Sequence, residues 1–209
     1  LRGVGAVPQD LGEGGGGVDL QAGRVRLRRC RVTQCAALQG GGLRASGTVR
    51  AEASNCVFVD NRAEGAGGGA VFATFGARVS LLGCTFTGNR GRKGSTALVS
   101  GSVGAEVEVE CCLLAQDERG LCLASEGEGK LIVRRSVLPA LADHVSEGID
   151  VDETVRLRGL AVERSGEPPY GASFPVVLRG IGAPERFADD ERADLYGRSR
   201  LDAWVGAVA

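Results

Sequence analysis

The sequence predicts an all-β chain: a right-handed parallel β-helix of six to seven coils with a C-terminal cap that is partly helical. Two observations predict this fold. Apolar residues recur along most of the 209 residues with a period of 24 to 28. Gly is abundant, at 34 residues, while aromatic residues make up only 4%, which favours tight turns around a narrow core. We assign residues 1–165 to the repeats and residues 166–209 to the last coil and the cap.

The repeat is clearest in two segments that both read x-C-x-F-x-x-N. These are Asn55–Asn61 and Gly83–Asn89, whose cysteines lie 28 positions apart. Extension in both directions gives six copies and four aligned columns. The columns are Val25, Ala51, Val79, Val107, Leu131 and Val155; Leu27, Ala53, Leu81, Val109, Val133 and Leu157; Cys30, Cys56, Cys84, Cys112, Ser136 and Leu160; and Val32, Phe58, Phe86, Leu114, Leu138 and Val162. Every member except Ser136 is apolar, which predicts the inward face of stacked strands.

Such a unit cannot bury its own apolar face, so the copies must stack with each strand paired to its equivalents above and below. A second strand precedes the first in each copy, and glycine runs lead into several of these strands, as at 40–42 and 67–69. We assign these glycines to sharp corners with positive φ. A leucine-rich repeat has a similar period, but its L-x-x-L-x-L-x-x-N signature is absent.

Short motifs in two copies resemble those of a known repeat family. Phe58-x-x-Asn61 and Phe86-x-x-Asn89, with Gly68-Gly69-Ala70-Val71, are similar to the F-x-x-N and G-G-A-[ILV] repeats of chlamydial polymorphic outer membrane proteins. Elsewhere the chain departs from the motifs, since Cys35 and Asp117 stand where the Asn is expected. The resemblance implies a β-helix of the pectin-lyase-like type with an adhesive or structural role at a cell surface.

Composition narrows the possible partners. The net charge is −1, and a nucleic-acid-binding domain would usually carry a clear basic excess, so we expect no nucleic-acid partner. No stretch approaches the roughly 18 consecutive apolar residues of a transmembrane helix. The chain begins at Leu1 and contains no Met, which we interpret as a piece of a longer protein. No cofactor-binding motif is present, and we expect no cofactor.

Cys30, Cys56, Cys84 and Cys112, four of the seven cysteines, share one column. Parallel side chains in a stack hold their Cβ atoms further apart than the ~3.8 Å that a disulfide prefers. We therefore predict a ladder of free thiols that pack as small hydrophobic groups. A metal site would need convergent ligands, commonly in C-x-x-C pairs, and we predict none. The adjacent Cys111 is predicted to face outward as a reactive thiol.

Polar residues give three further candidate features. Asn61, Asn89 and Asp117 align at a turn, which predicts a hydrogen-bonded ladder along the axis, the alternative being a polar row that faces a ligand. Asp143, His144, Glu147, Asp150, Asp152 and Glu153 form an acidic stretch that contains the only His. It could bind a cation or supply a base, or be a solvated loop. Arg134, Arg135, Arg156 and Arg158 are predicted to form a basic patch on adjacent coils, or else a solvated face.

The C-terminal residues lose the repeat and are predicted to cover the last coil. Phe174–Leu178 could form one more strand, Pro184–Tyr196 has helical character, and Leu201, Trp204 and Val205 have helical spacing. We predict no catalytic residues. The function expected is that of a non-enzymatic structural or binding domain of a larger extracellular or cell-surface protein. It would contact a protein or glycan partner, or neighbouring domains, through its lateral faces. The alternative is a carbohydrate-active enzyme or a glycan-binding module.

Overall fold

A computed structural model describes residues 15–65, 67–91, 98–101, 104–115, 123–126, 128–139, 149–152 and 155–157. Every regular element in these ranges is a β-strand. We call one turn of the chain about the long axis a coil. The strands, coil by coil, are β1 (Val18–Leu20), β2 (Arg24–Arg28), β3 (Arg31–Thr33) and β4 (Ala36–Ala37); β5 (Leu43–Ser46), β6 (Arg50–Ser54), β7 (Val57–Val59) and β8 (Arg62–Ala63); β9 (Val71–Thr74), β10 (Arg78–Leu82) and β11 (Thr85–Thr87); β12 (Leu98–Gly101), β13 (Glu106–Glu110) and β14 (Leu113–Ala115); β15 (Leu123–Glu126), β16 (Lys130–Arg134) and β17 (Val137–Pro139); and β18 (Asp150–Asp152) and β19 (Val155–Leu157).

Equivalent strands of successive coils pair in parallel into three main sheets. Sheet I has the order β1-β5-β9-β12-β15, sheet II β2-β6-β10-β13-β16-β18 and sheet III β3-β7-β11-β14-β17-β19, and β4 pairs with β8. The register joins Ala53 to Leu27 on one side and to Leu81 on the other. The predicted parallel β-helix is therefore confirmed, because each strand pairs with its counterparts one repeat before and after it.

The core is a set of columns in which side chains stack on their equivalents. Phe58 and Phe86 show this most directly, since their ring centroids lie 5.0 Å apart with the ring planes 9° from parallel. Val79 and Leu81, from the two predicted columns of sheet II, are buried in the same core cluster. The burial alternates along sheet II, where Arg78 and Ser80 face outward, as a period-two strand requires.

Single residues in the left-handed conformation form two of the corners. Between sheets II and III, φ lies between 45° and 60° at Arg29, Asn55, Gly83, Cys111 and Arg135. After sheet III the same conformation recurs at Gln34, Asp60 and Gly88. Non-glycine residues in this region cost about 1 kcal/mol or more each. The hydrogen-bonded ladders that follow each corner, described below, offset that cost.

The glycine runs before sheet I have the predicted positive φ only in part. Positive φ occurs at Gly40 and Gly67, but not at Gly41 or Gly69. A Cβ on Gly69 would lie 2.4 Å from the backbone N of Arg90 and 2.5 Å from its carbonyl O. Glycine is required there because the backbone of the next coil passes too close for any side chain.

The predicted sixth copy of the repeat is wrong by one sheet. Val155 pairs with Val137 in sheet III, whereas sheet II continues with β18, in which Val151 pairs with Val133. The reason is a short connection: 10 residues separate β17 from β18, while 14 to 18 residues separate the corresponding strands of earlier coils. Ile-Asp-Val and Val-Arg-Leu both alternate, so alternation alone did not distinguish them.

Some predicted features lie outside the described residues. These are the cap over 166–209 with its strand and helix, Asp117, the Asp143-His144 pair, Glu147, Glu153 and Arg158. Among the residues that the structure does describe, no helix reaches the length and hydrophobicity that a membrane-spanning segment needs.

Candidate functional site

The cysteine column runs along the corner between sheets II and III. Each thiol follows a left-handed residue and donates to the carbonyl two residues earlier, as Cys56 Sγ does to Ser54 O at 3.2 Å and Cys112 Sγ to Glu110 O at 3.2 Å. In the other direction, the backbone N–H of Cys84 donates to Cys112 Sγ at 3.2 Å. The thiols therefore bridge the coils with hydrogen bonds, in addition to packing as the small hydrophobic groups that the sequence predicted.

Ser136 continues this column with the same pattern. The N–H of Cys112 donates to Ser136 Oγ at 3.1 Å, and the hydroxyl donates to the carbonyl of Arg134 at 2.7 Å. Ser136 breaks the apolar pattern in the sequence but preserves the hydrogen bonds. The shared property of the column is a short side chain that both donates and accepts.

The thiols of Cys56 and Cys84 are held in the neutral form. Burial, followed by the hydrogen bond with Cys112, raises the pKa of the Cys84 thiol. At Cys56 the hydrogen bond with Cys30 lowers the pKa, but the hydrogen bond with Cys84 and burial together outweigh it, so the pKa of Cys56 also lies above its ordinary value. Because the thiolate is the reactive species, these thiols are chemically inert. Cys111 was predicted to face outward as a reactive thiol. It lies outside the core cluster that contains Cys112, but it is 0% exposed, so the accessibility that a reactive thiol needs is contradicted.

The second corner carries an asparagine ladder. Asn61 Nδ2 donates to Val32 O at 2.9 Å, and the backbone N–H of Cys35 donates to Asn61 Oδ1 at 3.1 Å. Asn89 repeats the arrangement one coil later, where its Nδ2 donates to Phe58 O at 2.9 Å. Both carboxamides are buried and form hydrogen bonds with the backbone of the preceding coil, so this row is structural at Asn61 and Asn89.

The outer face of sheet II is exposed and carries a row of arginines. Arg24, Arg50 and Arg78 lie in register on successive coils, and all three side chains are exposed. Beside this row, Glu52 forms ion pairs with Arg24 and with Arg26, whose Nε lies 2.8 Å from Glu52 Oε2. The hydrogen bond from Arg24 is the main cause that holds the pKa of Glu52 below its usual range.

A depression of about 250 Å³ lies beside this row. It is lined by Arg26, Arg28, Glu52, Ala53, Ser54, Ser80 and Leu82. Its polar groups are guanidinium, hydroxyl and one carboxylate that is already paired with arginine, a set that suits an anionic group. Within the described ranges, no group of three or more His, Cys, Asp or Glu residues could hold a metal ion.

The charge on the outer face of sheet II changes sign along the axis. In the row of Arg78 the next coil has Glu106, and in the row of Ser80 it has Glu108. Lys130 follows Glu106 one coil later. Among the described residues, the row of arginines on sheet II therefore ends at the third coil.

The described strand residues of the predicted basic patch lie on different sheets. Arg134 lies on sheet II beside Asp152, whereas Arg156 lies on sheet III beside Leu138. Arg135 occupies a corner, and its Nη2 lies 3.3 Å from Glu110 Oε1. The arrangement differs from the prediction because the sixth copy was placed one sheet too early. Asp150 is exposed at the start of β18.

The arginine row was not among the predicted site residues. Arg24, Arg50 and Arg78 each precede a column residue by one position. The available signal was a basic residue at that offset in three consecutive copies. In a parallel β-helix, one offset means one row on the surface.

One comparison with known proteins gives a match. Residues 10–137, more than half of the chain, match the family model described as "Right handed beta helix region". Neither curated proteins nor solved structures give a match. The family match and the stacked parallel strands support a β-helix of the pectin-lyase-like type, while the resemblance to chlamydial repeats stays a prediction.

Proposed function

The chain belongs to the right-handed β-helix family, and on that premise we propose that it is a non-enzymatic binding domain of a larger cell-surface or extracellular protein. The observation that carries the proposal is the arginine row on sheet II, with one exposed guanidinium on each of three successive coils. The partner we propose is an anionic glycan that lies along the axis of the β-helix.

The geometry of the row suits an extended, repeating anion. Strands in a sheet are about 4.8 Å apart, which is comparable with the length of one sugar unit in an extended chain. Guanidinium groups bind carboxylate and sulfate in a bidentate manner. Among the described residues, Arg50 and Arg78 have no ion-pair partner, so their charges are available to a ligand. Arg24, in contrast, already forms an ion pair with Glu52.

An extracellular location is consistent with the state of the thiols. Free cysteines in an oxidising compartment are liable to form disulfides if they are exposed and ionised. Cys56, Cys84 and Cys112 are buried, and the pKa values of Cys56 and Cys84 are raised. These buried thiols would therefore persist outside the cell. The resemblance to chlamydial-type surface repeats supports the same location and an adhesive role.

A carbohydrate-active enzyme is the second candidate, favoured by one observation. Glu52 lies beside Arg26, Arg28 and Ser80 in the depression on sheet II, so a carboxylate and basic groups converge on a lateral face. Its ion pairs with two arginines keep Glu52 ionised, which suits a base better than an acid.

Binding to sulfated and uronate-rich oligosaccharides tests the proposal. We expect the Arg50→Ser/Arg78→Ser double variant to bind at least about tenfold more weakly than the parent chain, because tenfold corresponds to about 1.4 kcal/mol. Lys130→Ser is the matched control, since Lys130 is an exposed cation in the same row beside Glu106. Equal binding by the parent and the double variant would contradict the proposal. Cleavage of a polyuronate that is lost in Glu52→Gln would favour the enzyme instead.

A further inference from the structure

The corner between sheets I and II carries the aromatic ring of Phe75. This side chain is 69% exposed, and among the residues that the structure describes no other large hydrophobic residue is exposed. Phe75 comes directly after β9 and three residues before Arg78, with which β10 begins. A single exposed apolar side chain is common on protein surfaces, so exposure alone assigns no role to Phe75.

The backbone at Phe75 has a conformation that disfavours a bulky side chain. Phe75 has a φ of 51° and Gly76 has a φ of 82°. The backbone N–H of Ala77 donates to the carbonyl of Thr74 at 3.2 Å, which closes a four-residue turn. Two successive positive φ values are typical of a type I′ turn, whose central positions favour glycine, asparagine and aspartate. Phenylalanine at the first of these positions costs free energy that glycine would not.

The preceding coil shows that the fold does not require this phenylalanine. β9 is in register with β5, and β10 with β6, and three residues join the two strands in both coils. Phe75 therefore corresponds to Gly47, whose φ is 78°. In the described corners between sheets I and II, the other residues with positive φ are all glycines: Gly23, Gly47, Gly76 and Gly104.

The left-handed side chains at the other corners have a different setting. Asn55, at the corner between sheets II and III, is followed by Cys56, whose thiol belongs to the buried ladder of that corner. Gly76 and Ala77, which follow Phe75, have no polar side chain with which to form such a ladder. A strained and exposed residue whose strain the fold does not need is a candidate for a role in binding.

Phe75 lies close to the arginine row of sheet II. Its Cα is three residues from that of Arg78, so the two atoms are at most about 11 Å apart. Arg78 is in register with Arg50, and both arginines are exposed. The position equivalent to Phe75 in the preceding coil is Gly47, so no side chain covers the ring from that position. A flat apolar surface and two exposed guanidinium groups are therefore open to the same ligand.

Sugars of an anionic glycan have surfaces that suit both groups. A sugar ring presents C–H groups on its faces and carries its hydroxyl, carboxylate or sulfate groups at its edge. An aromatic side chain packs against the apolar face, and a guanidinium group pairs with the carboxylate or sulfate.

We infer that Phe75 is the platform on which one sugar ring of the bound glycan packs, while Arg78 holds the charged group of that unit or of the next. The inference rests on the proposed function and adds the basis of its specificity. Phe75 makes the site selective for a sugar, whereas the arginine row by itself would bind any extended anion of matching charge.

Binding of two different polyanions to the full chain tests this role. Oligogalacturonate carries its carboxylates on sugar rings, whereas inorganic polyphosphate carries repeated negative charge without a ring. Phe75→Gly removes the aromatic ring and places in this turn the residue that the preceding coil has at Gly47. We expect Phe75→Gly to bind oligogalacturonate about fivefold more weakly than the parent chain, and to bind polyphosphate within about twofold of it.

Two variants serve as matched controls for this loss. Phe75→Tyr retains a flat ring, and Thr48→Ala changes an exposed residue of the same corner in the preceding coil. Both should bind oligogalacturonate within about twofold of the parent chain. Phe75→Gly should unfold at about the same urea concentration as the parent, because glycine relieves the strain while it adds freedom to the unfolded chain.

The possible failures separate this role from the proposed function. If Phe75→Gly binds oligogalacturonate as the parent does while Arg50→Ser/Arg78→Ser binds it more weakly, the role of Phe75 is overturned and the proposed function stands. Equal losses for oligogalacturonate and polyphosphate, or a loss in Phe75→Tyr as large as in Phe75→Gly, also overturn the role, since the ring would then not recognise the sugar. Failure of the parent chain to bind any uronate-rich or sulfated oligosaccharide overturns both.

Discussion

Asn61 Nδ2 donates a hydrogen bond to Asn89 Oδ1 at 2.9 Å, although the two residues are 28 positions apart in the chain. The same oxygen accepts the backbone N–H of Asn61 at 3.1 Å, while Asn89 Nδ2 donates to the carbonyl of Phe58. One side chain of the third coil thus binds the second coil at three points. These bonds lie at a corner, beyond the end of the ladder of sheet III.

Removal of this side chain should destabilise the β-helix strongly. Asn89→Ala leaves two donors and one acceptor of the second coil without their partner in a buried site, and each such group costs about 1–3 kcal/mol. We expect the free energy of unfolding to fall by about 3 kcal/mol or more, as measured by urea titration. Gln21→Ala, at an exposed position, should change it by less than about 0.5 kcal/mol. A loss at Asn89 as small as that of the control would show that the ladder contributes nothing.

The cysteine column should tolerate serine better than valine. Valine at position 112 would fill the space of the thiol but accept no hydrogen bond, so the N–H of Cys84 would lose its partner. Serine retains a donor and an acceptor, as Ser136 already does in the next coil. We expect Cys112→Val to cost about 1–3 kcal/mol more than its packing alone predicts, and Cys112→Ser to be the more stable variant in urea unfolding. The reverse order would mean that the thiols act only as hydrophobic groups.

Some features of this fold could be predicted from the sequence, and others could not. The columns through Leu27 and Phe58 were predictable, because alternation and a fixed period place side chains on one inner face. The last copy was not, because a shortened connection moved Val155 to another sheet while both candidate segments alternate. The sequence also carried a signal on sheet III that was missed: Val57 and Leu113, which precede the core residues Phe58 and Leu114, are apolar, and both are buried.

Two phenylalanines provide a matched test of the core. Phe86 is fully buried and stacked on Phe58, whereas Phe75 is 69% exposed at a turn of the same coil. Phe86→Ala should cost about 3–5 kcal/mol, and Phe86→Asp should unfold the domain, since it buries an unpaired charge. Phe75→Ala should change the free energy of unfolding by less than about 1 kcal/mol. Thermal unfolding followed by circular dichroism distinguishes them, and similar losses at both positions would contradict the register.

Glycine at position 69 should be irreplaceable for a reason of space. Its missing Cβ would fall 2.4 Å from a backbone atom of Arg90, and a backbone cannot move away as a flexible side chain can. Gly69→Ala should therefore cost more than about 3 kcal/mol, the upper part of the range for overpacking. Gly76→Ala is the control: its φ of 82° costs about 1–2 kcal/mol, but its nearest neighbour is 3.9 Å away. A Gly69 variant no less stable than the Gly76 variant in urea would contradict the close approach of the two coils.

The unfolding free energy should decrease as the pH rises above about 9, with Cys84 as one cause. Burial raises the pKa of its thiol well above the ordinary value of 9.0, so between these two values the folded chain keeps a proton that the unfolded chain has released. The stabilisation is complete below the unfolded pKa and is lost as the pH rises towards the folded one, at up to about 1.4 kcal/mol per pH unit for one group. Urea titrations at about pH 8 and pH 10 should show a decrease that is smaller by about 1 kcal/mol in Cys84→Ser, which no longer titrates there. If the parent and the variant lose the same stability between the two pH values, the buried thiol does not couple folding to protonation.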